Sequence, residues 1–531
     1  MRVAWWRRML AIAHSAVLEG LAAHPVRVEV QAERGVPSFE VVGFAEAAVR
    51  ESRVRVKSAL AELGVDISEY RLVVNLAPAD LKKRGSAFDL AIAVAALASL
   101  GMLPEDCLGE LLFLGELSLN GALHPLRGVV AHLLCARDRG VARAIVPAAN
   151  QEEAALVEGL ETVVASTLAE VVDALRGDGA LERARASTTR ERPMLIVDDL
   201  ADVRGQDSAR KALEVAAAGG HNLLFIGPPG AGKTMLARRL PGILPPLTED
   251  EALEVLAIHS VAGILAASRR MGVRPFRAPH HTASEVSLVG GGELTRPGEV
   301  SLAHSGVLFL DELAEFRRGT LESLRQPLED GVVTVARAHA TVTFPARPLL
   351  LGATNPCPCG YRGTKRCVCG TKDARSYLAR LSGPVVDRLD LHVPLAPVDV
   401  MSLQEREPGE PSVSVRRRVE RARAIQYARK RSGETSTALN AHLTAKDAER
   451  VCALDDASRA LVTYAMEKWG FSARGYGKIL RVARTLADLD GATAIAAEHV
   501  SVAVGARVLD RTEGSPSPAV VAAAMQTATC G

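Results

Sequence analysis

The chain has 531 residues, 48% of them hydrophobic and 24% charged, the balance of a soluble globular protein with room for about three to four domains. Its 64 basic residues stand against 62 acidic ones, a net charge of +2, so any nucleic-acid contact must come from local clusters and not from a global field. No apolar run approaches the roughly 20 residues of a membrane-spanning helix. Eight cysteines in a chain this long exclude a disulfide scaffold. The stretch from Met9 to Val17 faintly resembles a signal peptide, but His14 and Ser15 interrupt it and no A-x-A-like site closes it. A cytoplasmic protein without a membrane anchor is therefore expected.

From the N-terminus, Val26–Val30 alternates with period two and predicts a half-buried strand, as do Phe39–Val42 and Arg71–Leu76. Ala45–Leu63 predicts a helix stopped by Gly64, and Leu90–Leu100 a strongly apolar one. Ser86 and Asp89 have the spacing of a capping box at the start of that second helix. This region is similar to the Lon-protease-type domain at the front of one group of magnesium-chelatase-like ATPases. Matched on the Gly115–Gly121 turn and the Pro125–Gly128 segment, the resemblance puts Val130 where the protease has its catalytic lysine, and the nucleophile's place at Ser86 or Ala87. A serine without a base beside it is a poor nucleophile, so Ser86 is expected to cap the helix and proteolysis is not expected. Polar residues from Gly177 to Pro193 then mark a linker.

The apolar run Leu223–Ile226 leads into Gly227-Pro228-Pro229-Gly230-Ala231-Gly232-Lys233-Thr234 and a helical pattern beginning at Met235. Strand, glycine-rich loop and helix in this order make a phosphate-binding loop. Its backbone N–H groups would cradle phosphate oxygens, Lys233 would reach the β- and γ-phosphates of ATP, and the Thr234 hydroxyl would ligand Mg²⁺. Upstream, Val203 sits in a turn that serves either as an apolar wall for the adenine or as a plain helix entry. Downstream, Val307–Leu310 is a buried-strand pattern ending in Asp311 and Glu312, the first a Mg²⁺ ligand and the second a residue to polarise the attacking water. Leu349–Thr354 is another such strand, and Asn355 at its end would contact the γ-phosphate or its water. Arg388, in Gly383-Pro384-Val385-Val386-Asp387-Arg388, is a candidate arginine finger or the partner of Asp387 or Asp390.

These motifs in this order, with Arg277-Ala278-Pro279-His280-His281-Thr282, resemble the magnesium-chelatase-like group of AAA+ ATPases and within it the ComM/YifB family. The resemblance begins near Met9 and covers nearly the whole chain. It implies an α/β fold: an AAA+ P-loop ATPase core with an N-terminal Lon-protease-like α+β domain and a C-terminal helical lid. The expected boundaries are 1–177 for the first domain, 178–194 for the linker, 195–400 for the core, 401–512 for the lid and 513–531 for a flexible tail. It further implies a homo-oligomeric ring, commonly hexameric, in which Arg388 acts on the neighbouring subunit's nucleotide, and Arg474 at a lid-helix start as a γ-phosphate sensor.

Two inserts bear on what such a ring would grip. Val332–Arg337 and Ala340–Phe344 read as a hairpin with His339 near its tip; related helicases carry a pore hairpin here, making Arg337 and His339 candidates to touch a DNA backbone, against an ordinary solvated hairpin. Within 357–370, Cys357, Cys359, Cys367 and Cys369 supply four thiolates suited to tetrahedral Zn²⁺, the alternative being four reduced cysteines in a loop. Val415–Arg431 predicts a helix with eight cations, either a solvated face or a phosphate-binding one. The function expected is an ATP-hydrolysing motor acting on branched or single-stranded DNA, a branch-migration helicase. The alternative is a magnesium-chelatase-type motor subunit that remodels a protein partner.

Overall fold

The computed structural model describes residues 9–43, 47–83, 85–185, 198–264, 273–292, 296–337, 340–381, 383–397 and 409–510. They fall into two compact units: Met1–Pro193 with Leu253–Arg269 and Ala336–Phe344, and Met194–Ala252 with Arg270–Val335 and Pro345–Gly531. Among the described residues no helix is long and apolar enough to cross a membrane.

The first unit is built on an eight-stranded mixed sheet. Its strands are β1 (Met9–Glu19), β2 (Ala22–Arg34), β3 (Ser38–Val42), β4 (Tyr70–Ala77), β5 (Leu111–Phe113), β6 (Arg143–Pro147), β7 (Glu161–Ala165) and β8 (Glu182–Arg183), in the order β8-β7-β6-β5-β1-β2-β4-β3. The signal-like stretch is thus β1, paired antiparallel with β2 from Met9↔Ala32 to Glu19↔Ala22, with Ala13, Ala16 and Val17 buried. Helix α1 (Ala47–Glu62) stops before Gly64, whose positive φ of 76° suits a residue without a Cβ. Helix α2 (Asp89–Ser99) is buried on every side, which explains its uniformly apolar sequence. Each Leu or Ile it buries contributes about 1.5–3 kcal/mol of transfer free energy.

The expected Ser86 cap is not made. Phe88 precedes α2 without a side-chain cap bond, and the Ser86 hydroxyl donates to the Glu116 carboxylate. Asp89 is taken up by Arg55 at 2.6 Å and by the backbone N–H of Leu117 at 3.1 Å. A buried carboxylate with a guanidinium within reach gains more from that pair than from a cap. Val130, the residue that the resemblance sets at the lysine's place, is fully buried in α3 (Val129–Asp138).

The second unit holds a five-stranded, wholly parallel sheet of β9 (Leu223–Ile226), β10 (Phe276–Arg277), β11 (Val307–Leu310), β12 (Leu349–Thr354) and β13 (Leu391–Pro394), ordered β10-β11-β12-β9-β13. Every residue of β11 and β12 is buried, as the unbroken apolar runs require of strands covered on both faces. Helix α4 (Asp207–Gly219) precedes β9, and α5 (Lys233–Ile243) follows the phosphate loop. The C-terminal part is helical, with α6 (Ser412–Arg431), α7 (Asp456–Trp469) and α8 (Ala473–Leu489) sharing a core with α4. Val332–Arg337 and Ala340–Pro345 pair as the expected hairpin; His339 lies outside the described residues, as does the Arg337 side chain. The tail from residue 511 also lies outside them.

Candidate active site

Register decides the site. Ile226 pairs with Thr354 and Leu310 with Gly352, so Gly227, Asp311, Glu312 and Asn355 all emerge at the C-terminal edge of the sheet. That edge is where open α/β sheets bind ligands. The loop opens a cavity of about 350 Å³ lined by Pro229 to Met235, Asp311, Glu312, Thr354 and Asn355. Gly230 and Gly232 have φ of 77° and 85°, the left-handed turns that let the loop backbone wrap inward. The N-terminus of α5 adds its positive dipole end to the same space.

Within the cavity, Lys233 Nζ donates to Asn355 Oδ1 at 3.0 Å and to the carbonyls of Gly227 at 2.5 Å and Pro228 at 3.0 Å. Burial pulls its pKa below the usual lysine value, against the pull of Asp311 and Glu312. The Thr234 hydroxyl donates to Asp311 Oδ2 at 2.7 Å. A hydroxyl and a carboxylate converging in this way are the oxygen donors that a hard divalent cation such as Mg²⁺ takes. Glu312 has a positive φ of 52°, rare for a residue with a side chain. Its carboxylate Oε2 stands 3.0 Å from His281 Nδ1. His281 belongs to the Arg277–Thr282 segment that carried the resemblance, but its approach to Glu312 was not foreseen, because a contact between segments 31 positions apart leaves no local pattern.

Other expected residues fall elsewhere. Val203 is fully buried and does not line this cavity. In the same turn Gln206 takes a φ of 57° and donates to the Ala396 carbonyl at 2.8 Å. Arg388 and Arg474 do not line the cavity either. They share a second one, about 770 Å³, with Asp387, Asp390, Lys478 and Arg481. Arg388 pairs with Glu329, and not with Asp387 or Asp390; Arg474 takes Asp387 at 3.0 Å. Burial and then the positive charge of Arg474 lower the Arg388 pKa, and the Arg388 Nε is buried without a hydrogen-bond partner.

Half of the eight cations of the basic helix α6 are spent inside the protein. Arg416 donates to the Gly242 carbonyl at 2.9 Å, Arg418 pairs with Glu214 and Glu410, Arg423 donates to the Ala217 carbonyl at 2.7 Å, and Arg429 pairs with Asp488. Arg417, Arg421, Lys430 and Arg431 remain exposed. Four of the eight cations are thus tied up within the protein and four face solvent.

The four cysteines of the loop after β12 do converge, with one sulfur from each within 4.8 Å of the others. Cys357 Sγ lies 3.4 Å from Cys359 Sγ and 3.9 Å from Cys367 Sγ, and Cys359 is 3.8 Å from Cys367. Tetrahedral zinc with bonds of about 2.3 Å needs sulfurs about 3.8 Å apart, so the cluster fits such an ion. Backbone hydrogen bonds from Tyr361 and Val368 hold the Cys359 thiol down to about 6. Against a backbone hydrogen bond to each, the neighbouring sulfurs and burial push Cys367 up and Cys369 up to about 11, so without an ion the thiolate of the cluster is Cys359. Arg362, Lys365 and Arg366 on this loop are exposed.

Three family models match the chain: "Magnesium chelatase, subunit ChlI" over residues 199–403, "Subunit ChlI of Mg-chelatase" over 28–150 and "Magnesium chelatase, subunit ChlI C-terminal" over 409–507. The chain is 41% identical to the YifB protein of Escherichia coli over 504 residues, 94% of this chain and 98% of that one. It is 43% identical to the competence protein ComM of Haemophilus influenzae over 508 residues, with the same coverage. A shorter match, 25% identical over 146 residues, joins it to Lon protease 2 of Bacillus subtilis, covering 26% of each chain.

Proposed function

The chain belongs to the ComM/YifB family of magnesium-chelatase-like AAA+ ATPases, and from that premise we propose that it works as a ring-forming, ATP-driven motor on DNA, a branch-migration helicase of recombination or natural transformation. The observation that carries the motor is the convergence of Lys233, Thr234, Asp311, Glu312 and Asn355 on one cavity at the sheet edge. In this reading the loop N–H groups and Lys233 hold the β- and γ-phosphates, Lys233 giving up its bonds to Gly227, Pro228 and Asn355 to do so. Thr234 and Asp311 would hold Mg²⁺, which would supply charge neutralisation on the phosphates. Glu312 orients the attacking water and receives its proton, while the Asn355 amide donates to the γ-phosphate.

Arg388 and Arg474 stand together and apart from their own phosphate loop, which supports their delivery to the nucleotide of a neighbouring subunit. Such sharing requires a ring, six-membered by analogy with related AAA+ proteins. DNA as the load is supported by the hairpin of Val332–Pro345, by exposed Arg362, Lys365 and Arg366, and by kinship to a competence protein. The four-cysteine loop is read as a structural Zn²⁺ centre that would hold those cations in place.

The deciding experiment measures ATPase rate without DNA, with duplex, and with forked and four-way junctions, alongside dissociation of a labelled junction. Stimulation by branched DNA and ATP-dependent dissociation are expected. A protein that turns over ATP but neither binds DNA nor dissociates any junction would leave the ATPase standing and overturn DNA as its load. Stimulation by a protein partner alone would then favour the chelatase-type remodeller.

A further inference from the structure

The cysteine loop and the phosphate loop touch. Gly360, between Cys359 and Cys367, has a φ of 83°, and a Cβ placed on it would come within 2.8 Å of Pro229 Cδ, 3.0 Å of Pro229 Cγ and 3.8 Å of Asn355 Cγ. Pro229 lines the nucleotide cavity, and Asn355 accepts the Lys233 ammonium there at 3.0 Å. Cys357, two residues beyond Asn355, is fully buried, and its carbonyl accepts from the Gly360 N–H at 2.9 Å. The segment that would surround the metal is therefore continuous with one wall of the ATP cavity and seated against another.

We propose that a thiophilic divalent cation of the zinc class, held by Cys357, Cys359, Cys367 and Cys369, is a working part of the ATP site, so that metal loading sets nucleotide affinity. Each cysteine that is still a thiol gives up its proton to solvent as the cation binds, and the closed loop loses its freedom to drift from Pro229. With the loop fixed, Gly360 buttresses the turn that presents the phosphate-binding N–H groups, and Asn355 stays aligned on Lys233. Without the cation the loop keeps only its local turn hydrogen bonds, and both contacts loosen together. The proposal rests on the ATPase reading above and adds to it a metal dependence that resides in binding.

The test uses the purified full chain. Bound metal is counted by plasma mass spectrometry, and affinity is measured with a fluorescent ATP analogue before chelation, after chelation under reducing conditions, and after zinc is returned. One zinc per chain is expected, with affinity lowered about tenfold on stripping and restored on reloading. Two glycine variants test the contact without touching the cysteines. Gly360→Ala should keep its zinc and weaken the analogue at least about fivefold. Gly363→Ala has the same left-handed strain at φ 88° but nothing within 4 Å, and should bind as wild type. Absence of metal, equal affinity in stripped and loaded protein, or equal behaviour of the two variants would overturn the coupling. A zinc-loaded wild type that binds no ATP analogue would instead strike the ATPase reading itself.

Discussion

His281 Nδ1 stands 3.0 Å from Glu312 Oε2, on the residue expected to polarise the hydrolytic water. The ring is itself held, 4.1 Å from the His280 ring and edge-on to Phe316 at 6.5 Å. It follows β10, whose pairing with β11 brings the two segments side by side. An imidazole N–H at this range donates to the carboxylate and fixes its direction, which the turn at Glu312 alone does not. His281→Ala should therefore lower kcat about tenfold with little change in KM, since the residue touches no part of the phosphate-binding loop. His281→Asn, which keeps a donor, should recover part of the loss. Steady-state ATPase kinetics check both, and an unchanged kcat would free Glu312 of this partner.

Arg388 gives a second prediction. Its pairing with Glu329, away from Lys233, means that removing it leaves the subunit's own nucleotide cavity intact. Arg388→Ala should bind ATP analogues as wild type and lose about a thousandfold or more in turnover. Lys233→Ala should lose both. Mixing the two inactive proteins makes the sharper measurement, because a Lys233→Ala subunit still carries Arg388 for its neighbour. Activity should reappear in the mixture, and a mixture as inactive as its components would exclude a site shared between subunits.

What the sequence disclosed depended on how local the cause was. That Gly227–Thr234, Asp311 and Asn355 would meet in one place was legible because strand, loop and helix are contiguous there and buried strands deliver their end residues to one sheet edge. The cysteine cluster was legible for the same reason: spacing alone brings the sulfurs together. Met9–Glu19 was not read as a strand, since its apolar run breaks the period of two and its partner β2 supplies the order. The Ser86 cap failed for the opposite reason, and half of the cations of α6 were drawn inward in the same way. Each residue had a good local use, and a distant partner (Glu116 for Ser86, Glu214 and Asp488 for the arginines) won it away. Arg474 does stand in the first turn of α8, as its sequence context implied, and its neighbour there, Arg388, comes from a segment 86 positions away that no local pattern connects to it.

That competition is measurable in α6. Arg429 pairs with Asp488, which is 1% exposed and also takes Arg484 and Asn440. Arg429→Ala leaves a buried carboxylate short of a partner and should cost about 3 kcal/mol in denaturant unfolding. Arg421→Ala, on the exposed side, should change stability by no more than about 0.5 kcal/mol. If DNA is the load, any loss of DNA affinity at unchanged stability should come from Arg421 and not from Arg429. The reverse pattern would return the buried side of the helix to a binding role.

His132 supplies a pH dependence with a definite sign. It is 3% exposed in α3, its Nδ1 has no hydrogen-bond partner, and burial lowers its pKa to about 4. The unfolded chain protonates this imidazole near pH 6.5 while the folded chain does not, so between those values the unfolded state binds more protons. The stabilisation is therefore complete above about pH 6.5 and is lost progressively as the pH falls toward about 4, up to about 3 kcal/mol at the acid end. His14, half-buried in β1, shifts the same way through burial and then Arg27, so the quantity to compare is the difference between proteins. His132→Leu fills the site without a titrating group, and its melting temperature relative to wild type should rise steadily from pH 7.5 to pH 5. A constant difference across that range would mean that His132 charges in the folded state without cost, and that something other than burial sets its environment.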